Sequence, residues 1–198
     1  MSDPDRALAR KAGRGDRDAL LTLYERHKGR LFGYLRRALR DRTLAEDVFQ
    51  EVWIKVMQGI ELYRPSRATF RAWLFRIAAN AAVDRVRREA VRAADPLDAP
   101  LETGEGRVVD RVASPRVAPD REGEGHLFGE ALDRALGKLR EGQRQAVLLR
   151  HQQGLSYPEI AVALGVREGT AKTMVHRGVM RLRDELADWA PAGSSDAD

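Results

Sequence analysis

The stretch over residues 93–125 constrains the fold most, because it divides the chain of 198 residues into two parts. It holds four of the eight prolines and four glycines, and the apolar periodicity of the flanking sequence disappears there. Its net charge is −4, from eight acidic and four basic residues. This composition predicts a flexible acidic linker.

The two flanking parts differ in charge and in aromatic content. Residues 1–92 carry 21 Lys and Arg against 12 Asp and Glu, whereas residues 126–198 carry ten of each. Nine of the twelve aromatic residues precede residue 76. We therefore predict an N-terminal domain over 1–92, a linker over 93–125, a C-terminal domain over 126–190 and a disordered tail over 191–198.

The apolar spacing is helical throughout, so the predicted fold class is all-α, with two small helical domains. Apolar residues recur at intervals of three to four, and no segment alternates convincingly with period two. Thr43 with Glu46 resembles a capping box, and Thr69 is a candidate cap. The predicted helices span residues 16–40, 43–60, 70–90, 127–139 and 141–153, followed by a helix pair over 156–183.

Composition also limits the possible functions. The net charge of +5 and the pI of about 9.9 favour a polyanionic partner. The absence of cysteine excludes disulfides, thiol nucleophiles and thiolate metal sites, and the four histidines are scattered. We predict no metal, no cofactor and no enzymatic activity. No apolar run has the length of a signal peptide or a membrane span, which predicts a cytoplasmic protein.

One face of the predicted 43–60 helix is unusual. At 100° per residue, Asp47, Gln50, Glu51 and Ile54 lie opposite the apolar face. A solvated face is one interpretation. The other is a docking surface for a basic partner, because Ile54 is apolar and the two carboxylates lie in a part of the chain with net charge +9.

The segment over 63–90 interleaves aromatic and basic side chains, such as Tyr63, Phe70, Arg64, Arg67 and Arg76. Aromatic rings can stack on unpaired bases and arginines can neutralise phosphates, so the segment could bind single-stranded nucleic acid. The amide of Asn80 could read a base edge. The alternative is that Phe70 and Trp73 are ordinary core residues.

The segment over 156–183 has the pattern of a helix-turn-helix motif. Ser156 and Glu159 form a capping box, Gly165 allows a tight turn, and a second helix starts near Glu168. That helix carries a basic outer face, which favours the major groove of DNA over an ordinary helical hairpin. His176 could instead be a metal ligand, but only His151 is near it in the sequence.

Three stretches together resemble a bacterial RNA polymerase sigma factor of the extracytoplasmic-function group. They are AEDVFQEVWIKVMQGI, FRAWLFRIAANAAVDRVRRE and, after the acidic stretch, LSYPEIAVALGVREGTAKTMVHRGVMRLRDEL. The resemblance covers about residues 14–92 and 127–188. It implies a protein that binds core RNA polymerase, directs it to promoters and is restrained by an anti-sigma factor.

The resemblance also implies roles for particular residues. The candidate contacts to core polymerase are Asp47, Gln50, Glu51 and Ile54. The candidate contacts to the single-stranded minus-10 element are Tyr63, Arg64, Arg67, Thr69, Phe70, Arg76 and Asn80. The candidate contacts to the duplex minus-35 element are Lys172, Thr173, Met174, His176 and Arg177. Met174 and His176 depart from the basic or aromatic residues common in the family, and Arg167 replaces its usual Ser or Thr cap.

Two other functions stay open on the residues alone. A stand-alone helix-turn-helix regulator, whose N-terminal part senses a ligand or dimerises, would bind a specific duplex without polymerase. An all-α hydrolase or metal-dependent enzyme would need a convergent catalytic motif or a bound metal, and the sequence offers neither pattern.

Overall fold

The computed structural model describes residues 3–66, 68–94 and 124–189, and every regular element within these ranges is helical. The all-α fold class is confirmed. The eight α-helices are α1 (Arg6–Ala12), α2 (Arg17–Leu39), α3 (Arg42–Gly59), α4 (Phe70–Ala94), α5 (Glu124–Gly137), α6 (Glu141–Val147), α7 (Tyr157–Leu164) and α8 (Glu168–Glu185). Short helical turns follow at Ile60–Leu62, Leu148–Gln152 and Ala187–Trp189. No helix in the described ranges is long and apolar enough to span a membrane.

The predicted N-cap of α3 is wrong by two residues. Asp41, not Thr43, is the N-cap, because its carboxylate accepts a hydrogen bond of 2.9 Å from the Leu44 amide. Glu46 pairs with Arg42 at 2.8 Å instead of returning to the backbone. An aspartate also stabilises the positive end of the helix dipole, which favours it over a threonine at this position.

Helix α1 was not predicted from the sequence, because seven residues are too short to show a clear period. Ala9 and Ala12 are the buried residues of this helix. Just before it, the buried Asp5 accepts a hydrogen bond of 2.8 Å from Arg26 and lies 2.7 Å from Nε2 of His27. These contacts fix the start of α1 against α2.

Helix α4 is covered on two sides. Thr69 caps it as predicted, accepting a hydrogen bond of 3.2 Å from the Ala72 amide. The four consecutive residues 72–75 are all buried, which a helix with a single apolar stripe cannot achieve. Helices α2 and α3 pack on one side of α4, and α7 packs on another.

The C-terminal helices form the predicted helix-turn-helix motif. In α7, Ser156 and Glu159 form the expected capping box, and Gly165 ends the helix in the left-handed conformation at φ +65°. Arg167 precedes α8 without a side-chain capping bond, as its sequence predicted. Helix α6 continues into a π-helical turn over Leu148–Gln152, which the sequence did not reveal.

The N-terminal and C-terminal helices pack against each other and share one apolar cluster. The Gln153 side chain, only 3% exposed, donates a hydrogen bond of 3.3 Å to the Arg30 carbonyl. Arg37 of α2 pairs with Asp133 of α5 at 3.2 Å. Most of the predicted linker (residues 95–123), the predicted tail (191–198) and Arg67 lie outside the described residues.

Candidate protein-binding and nucleic-acid-binding surfaces

The outer face of α3 carries the side chains that the sequence placed there. Asp47 and Gln50 are exposed, Glu51 is half-buried, and Ile54 is 48% exposed. Met57, one turn after Ile54, is also exposed, at 52%, so the apolar part of this face is larger than predicted. Ile54 and Met57 are three residues apart, a spacing that places them on the same face of a helix and could have predicted this larger apolar area.

Cations from α4 reach this face, which the sequence did not indicate. Arg85 pairs with Asp47 at 3.3 Å, and Arg88 approaches Glu51 at 3.8 Å. Lys55, on α3 itself, pairs with Glu51 at 2.7 Å. The carboxylates are therefore partly neutralised within the chain, and a basic partner would replace these ion pairs.

The loop before α4 is held by Asp3, a residue that the sequence did not single out. One carboxylate oxygen of Asp3 accepts a hydrogen bond of 2.7 Å from the Phe70 amide and one of 3.0 Å from the Tyr63 hydroxyl. Burial raises the pKa of the Tyr63 hydroxyl, and its hydrogen bond to Asp3 raises it further. The N-terminal segment thus fixes the loop against the core.

Two of the seven candidate minus-10 residues are buried, one in this loop and one at the start of α4. Tyr63 is 5% exposed, and Phe70 is fully buried with its ring packed near those of Tyr63 and Trp73. The alternative that Phe70 is an ordinary core residue is confirmed for this conformation. Neither ring can stack on a base unless the loop rearranges, because stacking needs an open ring face.

The other described residues of this set lie at the surface or at a contact between helices. Arg64, Arg76 and Asn80 are exposed, and Arg64 donates a hydrogen bond of 2.8 Å to the Glu61 carbonyl. Arg76 and Asn80 are one turn apart on α4. Thr69 is half-buried, and its hydroxyl donates a hydrogen bond of 2.7 Å to Glu159 of α7.

Helix α8 turns most of its candidate minus-35 residues outward. Lys172, Thr173, His176 and Arg177 are exposed, while Ala171, Val175 and Gly178 are buried. Met174 differs, because it is half-buried and its methyl group lies beside Gly142 of α6, 3.4 Å from where a Cβ of that glycine would be. Its position favours a packing role over direct contact with a base.

A basic cleft lies beside α8 and was missed by sequence reasoning. It has a volume of about 490 Å³ and is lined by Lys138, Arg140, Gln143, Arg177 and Arg181. Among the described residues, no group of three or more His, Asp or Glu is arranged to hold a metal ion.

Comparison with known proteins decides the family. Residues 23–92 match the family model of Sigma-70 region 2, and residues 129–182 match that of Sigma-70, region 4. RNA polymerase sigma factor CarQ of Myxococcus xanthus is 34% identical over 174 residues, which are 88% of this chain and 92% of CarQ. ECF RNA polymerase sigma factor SigE of Mycolicibacterium smegmatis is 34% identical over 165 residues. The chain belongs to the ECF RNA polymerase sigma factors.

The match to SigE covers 83% of this sigma factor but only 60% of the length of SigE. Two solved structures share the fold. One is CnrH in complex with the cytosolic domain of CnrY, with a TM-score of 0.67, 25% identity, and coverage of 94% of this chain and 99% of that one. The other is sigma factor RpoE in complex with the anti-sigma factor NepR from Bartonella quintana, with a TM-score of 0.63, 25% identity, and coverage of 79% and 89%.

Proposed function

We propose that this sigma factor binds core RNA polymerase through the outer face of α3 and directs it to promoters that α4 and α8 contact. The observation that carries the proposal is the arrangement of α8 in the region 4 match. Its small residues pack inward on α6 and α7, and its polar and basic residues face solvent. This is the arrangement that a helix needs to enter the major groove.

In the proposed complex, Asp47, Gln50, Glu51 and Ile54 contact core polymerase. The two carboxylates exchange their pairing with Arg85, Arg88 and Lys55 for cations of polymerase. Because the ion pairs that are lost lie at the surface, they cost little to break, and complementary charges across the interface speed association and fix its register. Exposed Ile54 adds apolar area at the centre of the contact.

Two DNA contacts follow from the same proposal. Lys172, Thr173, His176 and Arg177 contact the minus-35 duplex, with Met174 supporting the helix from the α6 side. Arg64, Arg67, Thr69, Arg76 and Asn80 contact the minus-10 strand. Tyr63 and Phe70 support that surface by holding the loop.

We further propose that an anti-sigma factor regulates the chain. The support is indirect: the RpoE structure of similar fold contains the anti-sigma factor NepR. Under the proposed function the chain has no catalytic activity of its own and acts in the cytoplasm together with polymerase.

Run-off transcription tests the function directly. Core polymerase with the full chain on a promoter library should give defined start sites, and neither component alone should do so. Start sites that do not depend on the chain would overturn the proposal. Tight, sequence-specific duplex binding without polymerase, combined with no effect on core polymerase, would identify a stand-alone regulator instead.

A further inference from the structure

The carboxylate of Asp3 binds three groups from two separate parts of the chain. Its Oδ1 accepts a hydrogen bond of 3.1 Å from the Asp5 amide, which fixes the orientation of the side chain. Its Oδ2 is then directed at the loop before α4, where it accepts from the Phe70 amide at 2.7 Å and from the Tyr63 hydroxyl at 3.0 Å. One oxygen thus orients the side chain, and the other holds the loop.

Asp3 supplies the first turn of α4 with a second cap. Thr69 accepts from the Ala72 amide, but the Phe70 amide, at the first position of the helix, needs another acceptor. Asp3 provides this acceptor from 67 residues earlier in the chain. Its negative charge also lies near the positive end of the helix dipole. The first turn of α4 is therefore held in part by the start of the chain.

Asp5 anchors this N-terminal segment to α2. It is buried, and its carboxylate lies 2.8 Å from Arg26 and 2.7 Å from Nε2 of His27. The His27 ring in turn packs against Phe70, with the ring centroids 5.4 Å apart. Asp3 and Asp5 together form an N-terminal clamp, which is fixed to α2 at one end and to the start of α4 at the other.

The clamp also closes the loop on itself through Tyr63. The Tyr63 hydroxyl lies 3.0 Å from both Oδ2 of Asp3 and the Ala68 carbonyl oxygen, so its single proton is held between two acceptors. Burial and the bond to Asp3 raise the pKa of this hydroxyl, which therefore keeps its proton and remains a donor. The two ends of the loop are held together, and the exposed Arg64 lies between them.

We propose that Asp3 is a positioning residue for capture of the minus-10 strand. The proposal rests on the proposed function, and Asp3 itself touches no DNA. The clamp fixes the loop and the first turn of α4, and with them the exposed Arg64, Arg76 and Asn80, before the strand arrives. A surface that is ordered in advance loses less conformational entropy when it binds. The N-terminal segment thereby increases the affinity for the strand from a distance.

The clamp is separate from the polymerase-binding face of α3. Within the described residues, the side-chain hydrogen bonds of Asp3 and Asp5 go to the N-terminal segment, to α2, to the loop and to the first residue of α4, and none reaches α3. Both residues also precede the Sigma-70 region 2 match, which begins at residue 23. Loss of the clamp should therefore impair strand capture and leave the docking of α3 on polymerase intact.

Amide hydrogen exchange tests the clamp itself in the free chain. In Asp3→Ala the Phe70 amide loses its acceptor and should exchange at least about tenfold faster, the change expected from one charge-assisted hydrogen bond. The Ala72 amide keeps its bond to Thr69 and is the internal control. Asp18→Ala is the matched control variant, since it removes the same charge from an exposed position in the first turn of α2. Equal exchange at Phe70 in the parent chain and in Asp3→Ala would overturn the clamp.

Strand binding by the holoenzyme tests the positioning role. The probe is a fluorescent single strand that carries the minus-10 sequence of a promoter found by run-off transcription, titrated with core polymerase bound to the full chain. Asp3→Ala should bind this strand about tenfold more weakly, while its affinity for core polymerase should stay within about twofold of the parent value. Asp3→Asn keeps one acceptor oxygen for the Phe70 amide, so its loss should be smaller. Asp18→Ala should match the parent chain in both affinities.

A merely structural role for Asp3 predicts a different result. Loss of stability alone would lower the affinities for polymerase and for the strand together, and an equal loss in both would overturn the positioning role. Tighter strand binding by Asp3→Ala would also overturn it, because the rings of Tyr63 and Phe70 would then have to be released to stack on bases. A parent holoenzyme that transcribes but loses no strand affinity in Asp3→Ala would refute the positioning role alone. A parent holoenzyme that neither binds the strand nor transcribes would refute the proposed function.

Discussion

The hydroxyl of Thr69 donates a hydrogen bond of 2.7 Å to Oε1 of Glu159, joining the first turn of α4 to the first turn of α7. Each residue also serves its own helix. Thr69 accepts from the Ala72 amide, and Glu159 accepts from the Ser156 amide at 2.9 Å. The starts of two helices from different sigma regions are thus linked by one chain of hydrogen bonds.

A double-mutant cycle should measure this link. Thr69→Val and Glu159→Ala each remove a cap as well as the contact, but the capping losses cancel in the cycle. We expect a coupling of about 1 kcal/mol in the free energy of unfolding, because the bond has a charged acceptor but is only half-buried. The control cycle pairs Thr69→Val with the distant, exposed Thr173→Val and should give a coupling below about 0.5 kcal/mol. Equal couplings in the two cycles would contradict the link.

Stability should depend on the ionisation of Glu159. Burial disfavours its charged form, but hydrogen bonds from Thr69 and Ser156 outweigh burial and hold the pKa of this carboxyl below the usual 4.5. A folded-state pKa below the unfolded one contributes stability that is present above the unfolded value and is lost as pH falls through the folded value. Glu159→Gln keeps the capping box, so it should flatten the loss of stability below about pH 4.5 in urea titrations. If the stability of Glu159→Gln fell with pH as steeply as that of the parent chain, the ionisation of Glu159 would not contribute to stability.

Glu51→Lys should weaken binding to core polymerase by at least about tenfold, because it places a cation opposite the basic partner surface that we propose. Glu46→Lys is the control. Glu46 is an exposed glutamate of the same helix, about 140° around the axis from Glu51. Labelled chain titrated with core polymerase gives both affinities. A similar loss in the two variants would mean that net charge, rather than the outer face of α3, governs binding.

Gly178 should not tolerate a side chain. A Cβ there would lie 2.5 Å from Cγ2 of Val147 and 3.3 Å from the Gln143 carbonyl oxygen. Gly178→Ala should cost about 1–3 kcal/mol in the free energy of unfolding, as overpacking does elsewhere. Gly169→Ala on the same helix meets nothing within 4 Å and should change stability by less than about 1 kcal/mol. Thermal unfolding measures the stability of the two variants. Equal stabilities would show that α8 moves freely away from α6.

Met174 and His176 should respond in different ways to replacement by alanine. Met174→Ala should lower the free energy of unfolding by about 1 kcal/mol and leave promoter preference unchanged, since Met174 is half-buried beside α6. His176→Ala should leave stability within about 0.5 kcal/mol and change the preferred base at one position, since His176 is exposed. Transcription from a randomised minus-35 library measures the promoter preference of both variants. A changed preference in Met174→Ala and an unchanged one in His176→Ala would contradict the assignment.

The helix-turn-helix motif could be predicted in detail because its signals are local. A capping box, a glycine at the turn and an inward row of small residues all lie within one stretch of sequence. The start of α3 was less predictable, since Asp41 and Thr43 are both acceptable caps and apolar spacing does not choose between them. Asp41 was selected by its own extended backbone and by its bond to Leu44.

Contacts between distant parts of the chain could not be predicted. Asp3 is an ordinary acidic residue until the fold brings it to the Phe70 amide. Arg85 and Arg88 lie in the basic 63–90 segment, and nothing in their spacing shows that the fold brings them against the carboxylates of α3. Side-chain spacing along one helix carries no information about which neighbour will cover it.

The burial of α4 on two sides has a consequence for genetics. The buried residues 72–75 all belong to the apolar cluster that the N-terminal and C-terminal helices share, and the exposed Arg76 follows immediately. Neighbouring alleles in this short stretch can therefore produce the same loss-of-transcription phenotype for unrelated reasons. Under the proposed function, a screen for promoter-defective mutants would recover folding lesions at residues 72–75 and a DNA-contact lesion at Arg76 within two turns of one helix, and only biophysical assays of each purified variant would separate them.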